Sequence, residues 1–165
     1  MQYEQLAKEV YQNKIEIYEE YMTPSFKGLY SDNIIWINRL IPTQSEKICV
    51  LAEEFGHYHT STGDILDQSC IVERKQELIA RRWAYRKLIP LSKIVQAHQQ
   101  YILNRYELAD FLDVTEDFLV DALNWYKSKL GLYVLIDNYT LCFEPLGVLE
   151  LFDWIEMSRI SKLQF

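Results

Sequence analysis

Apolar positions recur along this chain in two rhythms, helical spacing over long stretches and short β-branched or aromatic runs between them. Leu6, Val10, Tyr11, Ile15, Tyr18 and Met22 predict an opening helix from Gln5 to Tyr21, ended by Thr23-Pro24. Gly28-Leu-Tyr30 and Ile34-Ile-Trp-Ile37 flank Ser31-Asp-Asn33 and predict a β-hairpin. Pro42 breaks the chain, and Thr43 or Ser45 can cap a helix from Glu46 to His59 with a buried stripe of Ile48, Leu51, Ala52 and Phe55. Thr60 to Asp64 reads as a polar loop. A third helix runs from Val72 to Lys87, and a fourth, capped by Ser92, runs through Ala97 to Tyr101. Asn104 to Lys129 reads as two helices joined near Asp113-Val-Thr-Glu116, with Thr115 capping the second and Gly131 ending it. Leu132–Ile136 and Tyr139–Phe143 flank Asp137-Asn138 as a second hairpin. Leu146 to Phe165 has helical spacing at Leu149, Phe152, Ile155 and Ile160.

Composition narrows this picture. With 165 residues, 49% of them apolar and 14% aromatic, the chain can bury a real core, which excludes a disordered polypeptide. The expected organisation is a principal unit over residues 1–103 and a helical and β-hairpin part over 104–165, packed together as one body. The net charge of −7 argues against direct nucleic-acid binding. No long apolar run predicts a membrane span, and Met1-Gln-Tyr-Glu-Gln5 lacks a basic-then-apolar leader, so a cytoplasmic location is expected. Cys49, Cys70 and Cys142 are odd in number and widely spaced, as reduced thiols would be.

The chemistry concentrates in Leu51-Ala-Glu-Glu-Phe-Gly-His-Tyr-His59. A zinc-protease helix reads His-Glu-x-x-His, with two histidines one turn apart on the metal and the Glu acting on its water. Here Glu53 stands at the first histidine's position, and Glu54 and His57 fill the other two. Residues four apart share a helix face, so Glu53 and His57 can reach a common ion, with Glu54 one residue on. A further ligand must come from elsewhere. Glu77 is the best candidate because Glu77, Ala80 and Ala84 share a face whose small residues allow close helix approach. Glu73, one turn earlier, is a weaker one. Taken alone, such glutamates are also what any solvated helix carries. His59 lies about 200° around the helix from His57, on the apolar stripe, and reads as a core-edge histidine. His98 reads as a surface residue.

The order of these pieces resembles the ImmA/IrrE family of metallo-endopeptidases of phages and mobile elements. The resemblance rests on Gly28-Leu-Tyr30 with its strand, on Leu51 to Asp64, and on Glu77-x-x-Ala80-x-x-Trp83-Ala84 leading to Leu88-Ile-Pro90. It implies an α+β, zincin-like domain over 1–103, with His57 and Glu77 as metal ligands, Glu54 as general base and Glu53 in the remaining ligand position. The implied cofactor is Zn²⁺. Replacing a histidine by Glu53 would leave the zinc centre formally neutral instead of positive, weakening polarisation of its water, and the added oxygen ligand favours Mn²⁺ or Fe²⁺. The implied activity is cleavage or inactivation of a cognate helix-turn-helix repressor. The alternative is an antirepressor that keeps the fold and sequesters its target without cutting.

Tyr106 to Leu123 has the cadence of a helix-turn-helix, yet residues 107–121 hold six acids (Glu107, Asp110, Asp113, Glu116, Asp117, Asp121) and no Lys or Arg. That sign is wrong for phosphate contact. The stretch reads either as a helical subdomain packed through Leu108, Phe111, Leu112, Phe118 and Leu119, or as an acidic docking face for a basic DNA-binding repressor.

Overall fold

The computed structural model describes residues 2–60 and 70–150, an α+β arrangement with six helices and two three-stranded sheets among them. The opening helix is shorter than its apolar spacing predicts. Helix α1 spans Tyr3–Gln12 and buries Leu6, Ala7 and Val10. It stops where Lys14 takes a left-handed backbone (φ 61°) and the Asn13 side-chain amide donates to the Glu9 carbonyl at 2.9 Å. Beyond the break, Glu16–Glu20 forms strand β1. Ile15 and Ile17 are one strand period apart, whereas Ile15, Tyr18 and Met22 also fit a helical repeat. Parallel pairing of β1 with a later strand resolves that ambiguity in favour of the sheet.

That later strand is β3 (Ile34–Asn38), which also pairs antiparallel with β2 (Gly28–Ser31), giving the order β1-β3-β2. The expected hairpin forms here. Asp32 and Asn33 both carry the positive φ (51° and 61°) that a tight two-residue turn requires. The buried Asn38 organises the approach to β2: its amide donates to the carbonyl of Phe26 at 2.7 Å, and its carbonyl oxygen accepts from Leu40 at 3.0 Å.

Helix α2 (Gln44–Thr60) is capped by Thr43, whose hydroxyl accepts from the Glu46 amide at 3.2 Å. Its apolar side packs Ile48, Leu51, Ala52 and Phe55 onto the sheet and α1. Helix α3 (Cys70–Leu88) lies along its other side. The two helices touch backbone to backbone at one point. A Cβ added to Gly56 would sit 2.5 Å from the Ala80 carbonyl oxygen, and Ala80 and Ala84 are fully buried. The polar loop expected after Thr60 falls outside the described residues from position 61 onward.

Helix α4 (Leu91–Gln99) starts at Pro90 with no side-chain cap, so Ser92 does not cap it. The fixed φ of −60° at Pro90 suits that entry. His98, in the last turn of this helix, is half-buried instead of lying fully on the surface. Helix α5 (Arg105–Leu112) is capped by Asn104, and α6 (Glu116–Leu130) by Thr115, as its sequence position predicts. Strands β4 (Tyr133–Ile136), β5 (Tyr139–Phe143) and β6 (Leu146–Glu150) form an antiparallel sheet in that order. The helix expected from Leu146 begins as a strand: Val148 pairs with the buried Leu141 and points inward with it, a cross-strand constraint that helical spacing does not reveal. Residues 151–165 of that expected helix lie outside the described residues.

One apolar cluster runs from Leu6 through Phe55, Leu88 and Leu119 to Val148, so both halves of the chain contribute to the same core. Among the described residues no helix is long and apolar enough to cross a membrane.

The Gly56–Ala80 contact generates a stability prediction. Gly56→Ala forces the helices apart or bends α2, and overpacking of this kind costs about 2 kcal/mol. Urea denaturation should show the loss as a lower midpoint with an unchanged slope, and an unshifted midpoint would contradict the contact.

Candidate functional site

Close approach of α2 and α3 brings the polar faces of both helices together. His57 on α2 donates from Nε2 to Glu77 Oε2 on α3 at 3.1 Å. Two ligands of a tetrahedral zinc, each about 2.0–2.2 Å from the metal, lie about 3.3 Å from one another. This pair therefore has the spacing of two corners of such a shell. The contact raises the pKa of His57, and the same contact holds the Glu77 carboxyl below its usual range.

Glu53 is engaged elsewhere. Its Oε1 accepts from Arg81 Nε at 2.9 Å, and the same guanidinium reaches Asp121 on α6 at 3.4 Å. Burial raises the Glu53 pKa, and the neighbouring Arg81 charge works against that rise. Glu53 and Arg81 line a cleft of about 530 Å³ that also involves Glu46, Cys49, Thr115 and Asp121. Burial pushes the Cys49 thiol up to about 12, which makes it inert as a nucleophile.

Glu54 faces the sheet. A Cβ at Gly28 would come 2.6 Å from Val50 Cγ1 and 2.9 Å from both Cγ and Oε1 of Glu54, so any larger residue there must displace those side chains. Burial pushes Glu54 up to about 7, partly opposed by the His57 charge and the Tyr30 backbone amide. It exchanges its proton near neutrality, as a general acid or base needs to. His59 turns to aromatic company, stacked on Trp83 at 4.6 Å and tilted against Phe55 at 4.4 Å. The side chain of Glu73 lies outside the described residues.

The four residues singled out in the sequence are thus arranged as a His57–Glu77 pair, a nearby half-buried Glu54, and a Glu53 bonded to a cation. Among the described residues no three His, Cys, Asp or Glu side chains are grouped so as to hold a metal ion. The donor set as arranged does not fit a resident zinc, which needs three protein ligands in a catalytic site and four in a structural one. Two residues of the site escaped the sequence reading. Arg81 stands four residues after Glu77, on the same helix face, and that spacing could have revealed it. Gly56 sits beside His57, and its small size signals a close helix contact.

A family model described as the IrrE N-terminal-like domain matches residues 10–124. That span contains β1 to β3, α2, α3 and all six site residues, Gly56 and Arg81 included. Neither a curated protein nor a solved structure matches the chain.

The ionisation of Glu54 predicts a pH dependence. Folded, it takes up its proton near pH 7; unfolded, near 4.5. Between those values the folded state binds more protons, so stability falls as pH rises. His57 acts the same way above 6.5, since the stability from its raised pKa is lost as pH rises through the folded value. The depressed Glu77 acts oppositely, losing stability as pH falls below 4.5. Chemical denaturation should find the protein about 2 kcal/mol more stable at pH 5.5 than at pH 8 from Glu54 alone. Glu54→Gln should remove most of that difference, and an unchanged difference would refute the assignment.

Proposed function

Because the chain belongs to the IrrE N-terminal-like domain family of peptidases, we propose that it is a zincin-like regulatory protein that acts on a helix-turn-helix repressor of a phage or mobile element by holding it, not by cutting it. The observation that carries this reading is the Glu53–Arg81 bond at 2.9 Å. The position that a histidine ligand occupies in a cutting zincin here carries a carboxylate, and that carboxylate is bonded to a guanidinium on the neighbouring helix.

Recognition falls to the chain's own surface. The α5–α6 pair exposes Glu107, Asp110, Asp117 and Asp121, and no Lys or Arg lies between residues 107 and 121. Such a face complements a basic DNA-binding protein and raises both association rate and selectivity for it. A cutting enzyme of the same fold is the alternative, and the 3.1 Å separation of His57 and Glu77 is the observation in its favour.

Co-expression with a candidate helix-turn-helix repressor as target separates the two. Wild type and Glu54→Gln should relieve repression equally, with the repressor recovered at full length on an immunoblot. Repressor fragments that appear with wild type and vanish with Glu54→Gln would establish cutting instead.

A further inference from the structure

Zincin-like helices bring acidic and imidazole groups together around a divalent cation, and their mutual repulsion is relieved by it. In this chain the two facing helices carry three glutamates, Glu53, Glu54 and Glu77, beside the single His57, so they bring more carboxylates and fewer imidazoles than a two-histidine motif would. A buried carboxylate without a counter-charge is strongly destabilising. The charge has to be met from somewhere.

We propose that Arg81 is the site's internal counter-ion: it positions Glu53 and supplies the positive charge that a metal ion would otherwise provide, making the site complete without one. Three observations carry this. The guanidinium Nε lies 2.9 Å from Glu53 Oε1, a charge-assisted hydrogen bond to a mostly buried carboxylate. Arg81 is held from a second side by Asp121 at 3.4 Å, so α6 anchors the cation over α2. It also comes from α3, the helix that supplies Glu77, and the Gly56–Ala80 contact sets the distance between the two helices. Zn²⁺ entering this arrangement would have to displace the guanidinium from Glu53 and break the hydrogen bond between His57 Nε2 and Glu77.

The inference rests on the metal-free reading above, and titration of the purified full-length protein tests the two separately. Zn²⁺ and Mn²⁺ are titrated by calorimetry into wild type, Arg81→Gln, Arg81→Ala and the double variant Arg81→Gln/Glu53→Gln, with melting temperatures followed with and without metal. Freed from the guanidinium, Glu53 joins His57 and Glu77. Arg81→Gln and Arg81→Ala should therefore bind one equivalent at least roughly tenfold more tightly than wild type. Their melting temperature should fall in chelator and recover with metal, while that of wild type stays put. The double variant should lose the gain. Arg81→Gln removes the charge but keeps an unbranched polar side chain on α3, so it remains informative even if Arg81→Ala does not fold. Single variants that gain no affinity, or a gain that survives Glu53→Gln, overturn the role of Arg81 and leave the metal-free reading standing. Wild type binding one equivalent as tightly as the variants overturns both.

Discussion

Everything at the site depends on how closely two helices approach. Gly56 faces the Ala80 carbonyl oxygen at a distance that leaves no room for a single methyl group, and Ala84 extends the small-residue face one turn further. Without that contact α2 and α3 would separate by about the 8–10 Å axial spacing of ordinary helix pairs or more. His57 and Glu77 could then not meet, and Arg81 could not reach across to Glu53. The apolar floor of α2, with Leu51, Ala52 and Phe55 buried, keeps that helix seated on the β1-β3-β2 sheet. Gly28 completes the constraint from the other side by letting β2 run against Glu54. Two glycines therefore define the space in which the charged groups operate, one against each flank of the same helix.

Within that space the electrostatics are balanced internally. Desolvation favours the neutral form of buried carboxylates, and it acts on both Glu53 and Glu54, with different outcomes. Glu53 has a guanidinium in hydrogen-bond contact that opposes the shift, whereas Glu54 has only the more distant His57 charge and one backbone amide. The two adjacent glutamates thus part ways, one held as half of an ion pair and the other exchanging its proton near neutrality. A peptidase-family fold with its ligand position tied into an ion pair retains shape, cleft and acid–base groups. Under the proposed function, such a chain would hold its target through the same surfaces without breaking a peptide bond.

Much of this was legible in the sequence, and the rest was not for identifiable reasons. The first hairpin could be read because β-branched and aromatic runs flank Ser31-Asp-Asn33, and Thr115 could be read as a cap because its hydroxyl precedes a new apolar repeat. The opening helix was overextended because Ile15, Tyr18 and Met22 satisfy helical spacing. Only parallel pairing with β3, residues away in sequence, makes Glu16–Glu20 a strand. The start of the last element failed the same way, through the pairing of β6 with β5. At the site, the meeting of His57 with Glu77 followed from one-turn spacing on two helices and a small-residue face between them. The partner of Glu53 did not, because the choice between a metal and Arg81 depends on the orientation of α3 and on Asp121 from a third helix. One-turn spacing from Glu77 puts Arg81 on the right face, but no local pattern encodes that orientation or the reach of Asp121.

The central claim, that this peptidase-family site is charge-complete without a metal, is tested most directly by elemental analysis of the protein purified without chelator. The account predicts zinc, manganese and iron each far below one equivalent per chain after dialysis. One retained equivalent of any of them would contradict it.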